Sequence, residues 1–238
     1  MKTKPIVALD TPDIYTAKSL VVQLGGSIDF YKVGLEAFLG CGEGILDFLK
    51  EKDKKIFLDL KFHDIPNTVA SATLACLKYN VDILNVHAQG GTDMMQKTSE
   101  QLSEACSKTG GKKPLLVAVT LLTSLGEDYL KTFGINFRKS TDYVLHLAEL
   151  AKKSGLEGIV SSPKEVQIVK NKLGNDFLTI TPGIRPEWSV KNDQQRVVTP
   201  KMAAEIGCDY IVIGRPVTAA DDPLLAATKI IEEIEYDG

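Results

Sequence analysis

Phe57-Leu58-Asp59-Leu60-Lys61-Phe62-His63-Asp64-Ile65-Pro66-Asn67-Thr68-Val69 sets two carboxylates around one lysine at the end of an apolar run. In an extended strand successive side chains alternate faces, so Asp59 and Lys61 are expected on one face with Leu58 and Leu60 on the other. Asp64 falls past the strand, just before Pro66, whose ring suits the first turn of a helix and disfavours an earlier helical start. A protonated lysine among carboxylates is suited to proton transfer. The competing reading is a structural ion pair at a strand end. The helix-start signal that follows at once favours function, because barrel strands deliver catalytic groups from their C-terminal ends.

Seven more strand-like runs surround this one: Ile6–Asp10, Phe30–Leu35, Ile83–Ala88, Leu115–Leu122, Gly158–Ser162, Phe177–Pro182 and Tyr210–Arg215. The intervening segments read mostly as amphipathic helices, among them Val69–Tyr79, Thr141–Ser154 and Leu224–Ile234. Such alternation predicts parallel strands joined by right-handed crossovers, and eight units favour closure. No G-x-G-x-x-G follows the first run, which weakens a dinucleotide-binding sheet. The expected fold is an α/β chain forming one (β/α)8 TIM barrel, a single domain over residues 1–238.

Composition narrows the function classes. Charged residues make up 25% of the 238 and the net charge is −3, so no basic field points to nucleic acid. No apolar run approaches the roughly 18 residues of a membrane span. The N-terminus lacks the apolar stretch of a signal peptide, and a cytoplasmic enzyme is expected. Cys41, Cys76, Cys106 and Cys208 form no C-x-x-C pair and read as reduced packing residues. His63, His87 and His146 have no second histidine at ligand spacing, so no metal site is expected.

If the runs are barrel strands, their C-terminal ends bring Asp10, Lys32, Asp59, Lys61, His87, Thr120 to Thr123, Ser161, Arg185 and Arg215 toward one mouth. Gly214-Arg215-Pro216 at the end of the last run resembles a phosphate cradle, with backbone N–H groups and a guanidinium for the anion. Arg185 and Gln194 lie in a connection longer than the usual two to six residues or so, a candidate lid over the same phosphate. A mobile surface loop and a plain glycine turn are the competing readings. Trp188 reads as packing for that loop. Asp10 competes as a cap for the helix after Pro12, and Thr123 is either a ligand contact or a helix cap.

The quoted segment, together with Val7-Ala8-Leu9-Asp10, Lys32-Val33-Gly34, Thr181-Pro182-Gly183-Ile184-Arg185 and Ile213-Gly214-Arg215-Pro216, resembles the orotidine 5'-phosphate decarboxylases of the bacterial monofunctional type over nearly the whole chain. The resemblance implies cofactor-free decarboxylation of orotidine 5'-phosphate to uridine 5'-phosphate in pyrimidine synthesis. It implies Lys61 as proton donor, with Asp59 near the departing carboxylate and positioning Lys61. Asp10 and Lys32 would hold ribose hydroxyls, and Thr123 the pyrimidine. Arg185, Gln194, Gly214 and Arg215 would take the phosphate. Asp64 and Thr68 would enter the partner's site in a homodimer.

Two alternatives remain. Magnesium-dependent sugar-phosphate decarboxylases and synthases sharing D-x-K-x-x-D require an acidic metal ligand at the end of strand two, where this chain has Lys32, a cation that would repel another. A noncatalytic nucleotide- or phosphate-binding barrel would share the anion site without the chemistry.

Overall fold

The computed structural model describes residues 3–189 and 198–235. Strand and helix alternate: β1 (Lys4–Ala8), α1 (Ile14–Leu24), β2 (Phe30–Gly34), α2 (Leu35–Cys41), α3 (Gly44–Glu51), β3 (Lys55–Phe62), α4 (Pro66–Ala75), β4 (Ile83–His87) and α5 (Thr92–Thr109). The order continues with β5 (Leu115–Val119), α6 (Glu127–Thr132), α7 (Ser140–Lys153), β6 (Gly158–Val160), α8 (Pro163–Leu173), β7 (Leu178–Pro182), α9 (Pro200–Glu205), β8 (Tyr210–Ile213), α10 (Arg215–Thr218) and α11 (Pro223–Glu235). Among the described residues the strands run in sequence order around a closed barrel, the (β/α)8 fold expected from the alternation.

The chain divides into two compact units, Met1–Leu60 with Gly183–Gly238, and Lys61–Pro182. In the first, β1 pairs in parallel with both β2 and β8, and β2 with β3. In the second, β4, β5, β6 and β7 form a parallel run. Helices cover parallel sheets, so the strands are apolar on both faces. Ile56, Phe57, Leu58 and Asp59 are buried in succession, and so are Ile83, Leu84, Asn85 and Val86.

The helix starts follow local chemistry. Pro66 is at the first position of α4 after Ile65 at φ −57°, ψ 152°, as the X-Pro rule requires. Pro163 and Pro200 likewise open α8 and α9 behind Ser162 and Thr199, whose side chains cap backbone N–H groups. The cap of α1 is Asp13, which accepts from the Thr16 N–H at 2.8 Å, so Asp10 is not the cap. Gly126, without a side chain to cap, precedes α6, so Thr123 does not cap that helix either. Asp222 accepts from the Leu225 N–H at 2.9 Å at the start of α11.

All four cysteines are free thiols, three of them buried. Burial raises the Cys76 thiol to about 11, an inert packing residue. Among the described residues, no helix is long and apolar enough to cross a membrane.

Glu165, in the first turn of α8, is buried, and desolvation raises its pKa above the ordinary 4.5 against the opposing bond to Ser162. A raised folded-state pKa stabilises the fold fully below the unfolded value, and the contribution disappears as pH rises through the folded value. Glu165→Gln keeps a hydrogen-bonding side chain toward Ser162 and cannot ionise. Its melting temperature relative to the parent is expected to climb as pH increases from about 4.5 and then level off, measured by thermal unfolding across pH.

Candidate active site

The strand register assembles the first cluster. Ala8 pairs with Lys32, and the Leu9 N–H donates to the Lys32 carbonyl at 2.9 Å, which carries Asp10 to the end of β2. Gly34 pairs with Asp59 on the other side of Lys32. The Lys32 ammonium consequently lies 2.9 Å from Asp10 Oδ1 and 3.3 Å from Asp59 Oδ2. The Asp59 and Lys32 side chains are only 9% and 13% exposed, whereas Asp10 is 54% exposed. The shared cation thus joins a nearly buried carboxylate to one in contact with solvent.

Desolvating such an array costs as much as its Coulomb attraction returns, so it is weak evidence for stability. Its geometry is nonetheless tightly specified. A Cβ added at Gly34 would lie 2.9 Å from Lys32 Nζ and 3.6 Å from Asp10 Oδ1. Glycine here clears the space in which the ammonium sits. That role was not read from the sequence, although Lys32-Val33-Gly34 was among the segments carrying the family resemblance.

Lys61, two residues beyond Asp59 on β3, leaves extended geometry, with φ +52°. For a non-glycine residue this left-handed conformation costs on the order of 1–3 kcal/mol, and it recurs at functional sites. Period-two alternation therefore stops before Lys61. Strand pleating alone therefore does not set the direction of its side chain. The Lys61 N–H donates to Asn85 Oδ1 at 2.8 Å. Asn85, fully buried on β4, was not singled out in the sequence. The signal was available, because an amide inside Ile83-Leu84-Asn85-Val86-His87 needs a hydrogen-bonding partner.

Beyond Lys61 the chain turns outward. Asp64 is exposed, its Oδ1 accepting from the adjacent Ile65 N–H at 2.6 Å. Ile65 is 66% exposed, and Asn67 and Thr68 on α4 are exposed as well. These residues form an accessible polar and apolar edge. Thr123 is exposed in the turn closed by the Leu125 N–H on the Leu122 carbonyl, four residues past the end of β5. The rings of His63 and His87 are 5.4 Å apart. Among the described residues no group of three or more His, Cys, Asp or Glu is placed to hold a metal ion.

The anion candidates belong to the first unit. Gly214 precedes α10, Arg215 is its exposed first residue, and a Cβ at Gly214 would approach Asp10 Oδ2 to 3.8 Å. Arg215 therefore starts a short helix rather than ending β8. Arg185 is half-buried, and its N–H donates to the Val198 carbonyl at 3.1 Å. Gln194 lies outside the described residues. Trp188 packs against α11: its Nε1–H donates to Glu233 Oε1 at 3.0 Å and Lys229 Nζ sits 5.6 Å from the ring centroid. A cavity of about 550 Å³ is lined by Asp10, Tyr15, Thr16, Thr218 and Asp221 among others; of the described candidate residues, Asp10 alone lines it.

The family model described as orotidine 5'-phosphate decarboxylase / HUMPS family matches residues 3–230. The chain is 45% identical to the orotidine 5'-phosphate decarboxylase of Nostoc sp. over 231 residues, 97% of each chain. It is 44% identical to that of Moorella thermoacetica over 235 residues, covering 98% of this chain and 93% of the relative. The crystal structure of orotidine 5'-phosphate decarboxylase from Lactobacillus acidophilus superposes with a TM-score of 0.84 at 40% identity, covering 98% and 99% of the two chains.

Gly34→Ala tests the built space around Lys32. The obstructed atom is the tip of a flexible side chain, so the fold should survive with a melting temperature within a few degrees of the parent, while turnover drops by about 10-fold or more as the ammonium is displaced. Parallel thermal unfolding and activity assays check both halves.

Proposed function

As the chain belongs to the orotidine 5'-phosphate decarboxylase / HUMPS family, with relatives aligned over nearly its whole length, we infer that it is a decarboxylase of pyrimidine nucleotide synthesis and propose that it acts without a cofactor. The substrate is orotidine 5'-phosphate and the products are uridine 5'-phosphate and carbon dioxide. The observation that carries this reading within the family is Lys32. Its ammonium occupies the end of β2 between Asp10 and Asp59, where a magnesium-dependent sugar-phosphate enzyme needs an acidic ligand.

The chemistry follows from charge. Breaking the carbon–carboxylate bond releases carbon dioxide and leaves its electron pair on the ring carbon. Positive charge fixed in advance at that carbon stabilises the transition state more than the ground state. Lys61 supplies this charge and then a proton, forming the new C–H bond and becoming a neutral amine that solvent reprotonates. Asp59 stands by the departing carboxylate and positions Lys61. Asp10 and Lys32 take ribose hydroxyls, and Thr123 takes the pyrimidine. Arg185, Gln194, Gly214 and Arg215 bind the phosphate, whose binding energy helps organise the distant reacting centre.

The working unit of this proposal is a homodimer in which Asp64 and Thr68 complete the partner's site. Their exposure beside Ile65, past the strand end, supports it.

Incubation with orotidine 5'-phosphate in excess chelator, followed by carbon dioxide release and the ultraviolet change of the pyrimidine, tests the reaction. Turnover under chelation is expected, and Lys61→Ala should lower it by several orders of magnitude while still binding uridine 5'-phosphate. No turnover by folded protein, or turnover of sugar phosphates only with magnesium, would overturn the assignment. The dimer has its own test. Lys61→Ala and Asp64→Ala chains, each inactive alone, should on equal mixing and exchange regain about a quarter of parent activity, because each hybrid dimer restores one of two sites.

A further inference from the structure

We infer that Asn85 is a positioning residue for Lys61, holding the catalytic lysine's backbone in the left-handed conformation from which its ammonium is presented. The inference rests on the reading of Lys61 as proton donor and adds a residue to that machinery. Lys61 has φ +52°, and its N–H donates to Asn85 Oδ1 at 2.8 Å. Lys61 stands within β3 at positive φ, and its backbone N–H is met by a side-chain acceptor from the neighbouring chain segment. Asn85 provides that acceptor from β4, a strand held by parallel pairing with β5, Asn85 itself opposite Val117. The amide is fully buried in an otherwise apolar stretch, where an aliphatic side chain would fill the space with no polar group to satisfy. Fixing one backbone torsion at the root of a long side chain narrows the directions open to its tip, and a displacement of about 1 Å at a reacting group costs on the order of 100-fold in rate.

Full-length Asn85→Leu, similar in shape without the acceptor, and Asn85→Asp, which retains an acceptor oxygen, are compared with the parent for kcat, KM, uridine 5'-phosphate affinity and thermal unfolding. Asn85→Leu is expected to stay folded, bind uridine 5'-phosphate within a few-fold of the parent and lose about 100-fold in kcat. Asn85→Asp is expected to recover at least about ten-fold of that loss. If Asn85→Leu does not fold, Asn85→Ala serves in the same comparison. Folded Asn85→Leu or Asn85→Ala with parental kcat would overturn the inference, as would equal losses of kcat and product affinity without recovery in Asn85→Asp, the pattern of a purely structural residue. Lys61→Ala measured alongside separates the two levels. An inactive Lys61→Ala with unimpaired Asn85 variants defeats the positioning role alone, whereas an active Lys61→Ala defeats both readings.

Discussion

The ammonium of Lys32, held between the carboxylates of Asp10 and Asp59, is the interaction around which the ends of the first three strands are arranged. Asp59 is nearly buried and, without a cation beside it, would bear the full penalty of desolvation. The parallel register supplies the cation by placing Lys32 one strand over, and Gly34 keeps its tip unobstructed. Asp10 follows from the same register and connects the array to solvent. Three residues far apart in sequence thus form one electrostatic unit because the strands are parallel and in order.

Within the second unit, Lys61 and Asn85 share a property: each gives up local stability for a defined arrangement. Lys61 occupies a backbone region that disfavours side chains, and Asn85 is a polar amide where an apolar residue would pack as well. The Asp10–Lys32–Asp59 array and the positive φ of Lys61 lie toward strand ends, while most of the buried strand positions are apolar. That contrast between a relaxed scaffold and a strained rim is what a site of preorganised charge requires, since donors fixed beforehand need no reorganisation when charge develops in the reaction.

Much of this was legible in the sequence. The eight apolar runs became eight strands, and Pro66 marked the start of α4, because burial on both strand faces and proline stereochemistry act locally. Strand ends were read too long: Leu115–Leu122 stops at Val119, since apolar character continues into the buried loop residue Leu121, and Tyr210–Arg215 stops at Ile213, where Arg215 already opens a short helix. The meeting of Asp10, Lys32 and Asp59 was anticipated from topology. The left-handed turn at Lys61 was not, because alternation presupposes an extended chain and lysine carries no mark of positive φ. Asn85 and Gly34 were missed for a related reason: both act on another residue's geometry, and a search for reactive groups passes over them. The helix cap at Asp13 instead of Asp10 turned on a three-residue choice that side-chain chemistry alone leaves open.

Asp59→Asn separates a charge array that serves chemistry from one that serves the stability of the fold, because Lys32 keeps its bond to Asp10 when the buried carboxylate is neutralised. Unfolding free energy and turnover of orotidine 5'-phosphate are measured on the same preparation. The expected outcome is an unfolding free energy unchanged or raised by about 1 kcal/mol with turnover reduced about 100-fold or more. A variant that loses about 3 kcal/mol or more of stability yet turns over substrate like the parent would contradict it and make the array a structural ion pair.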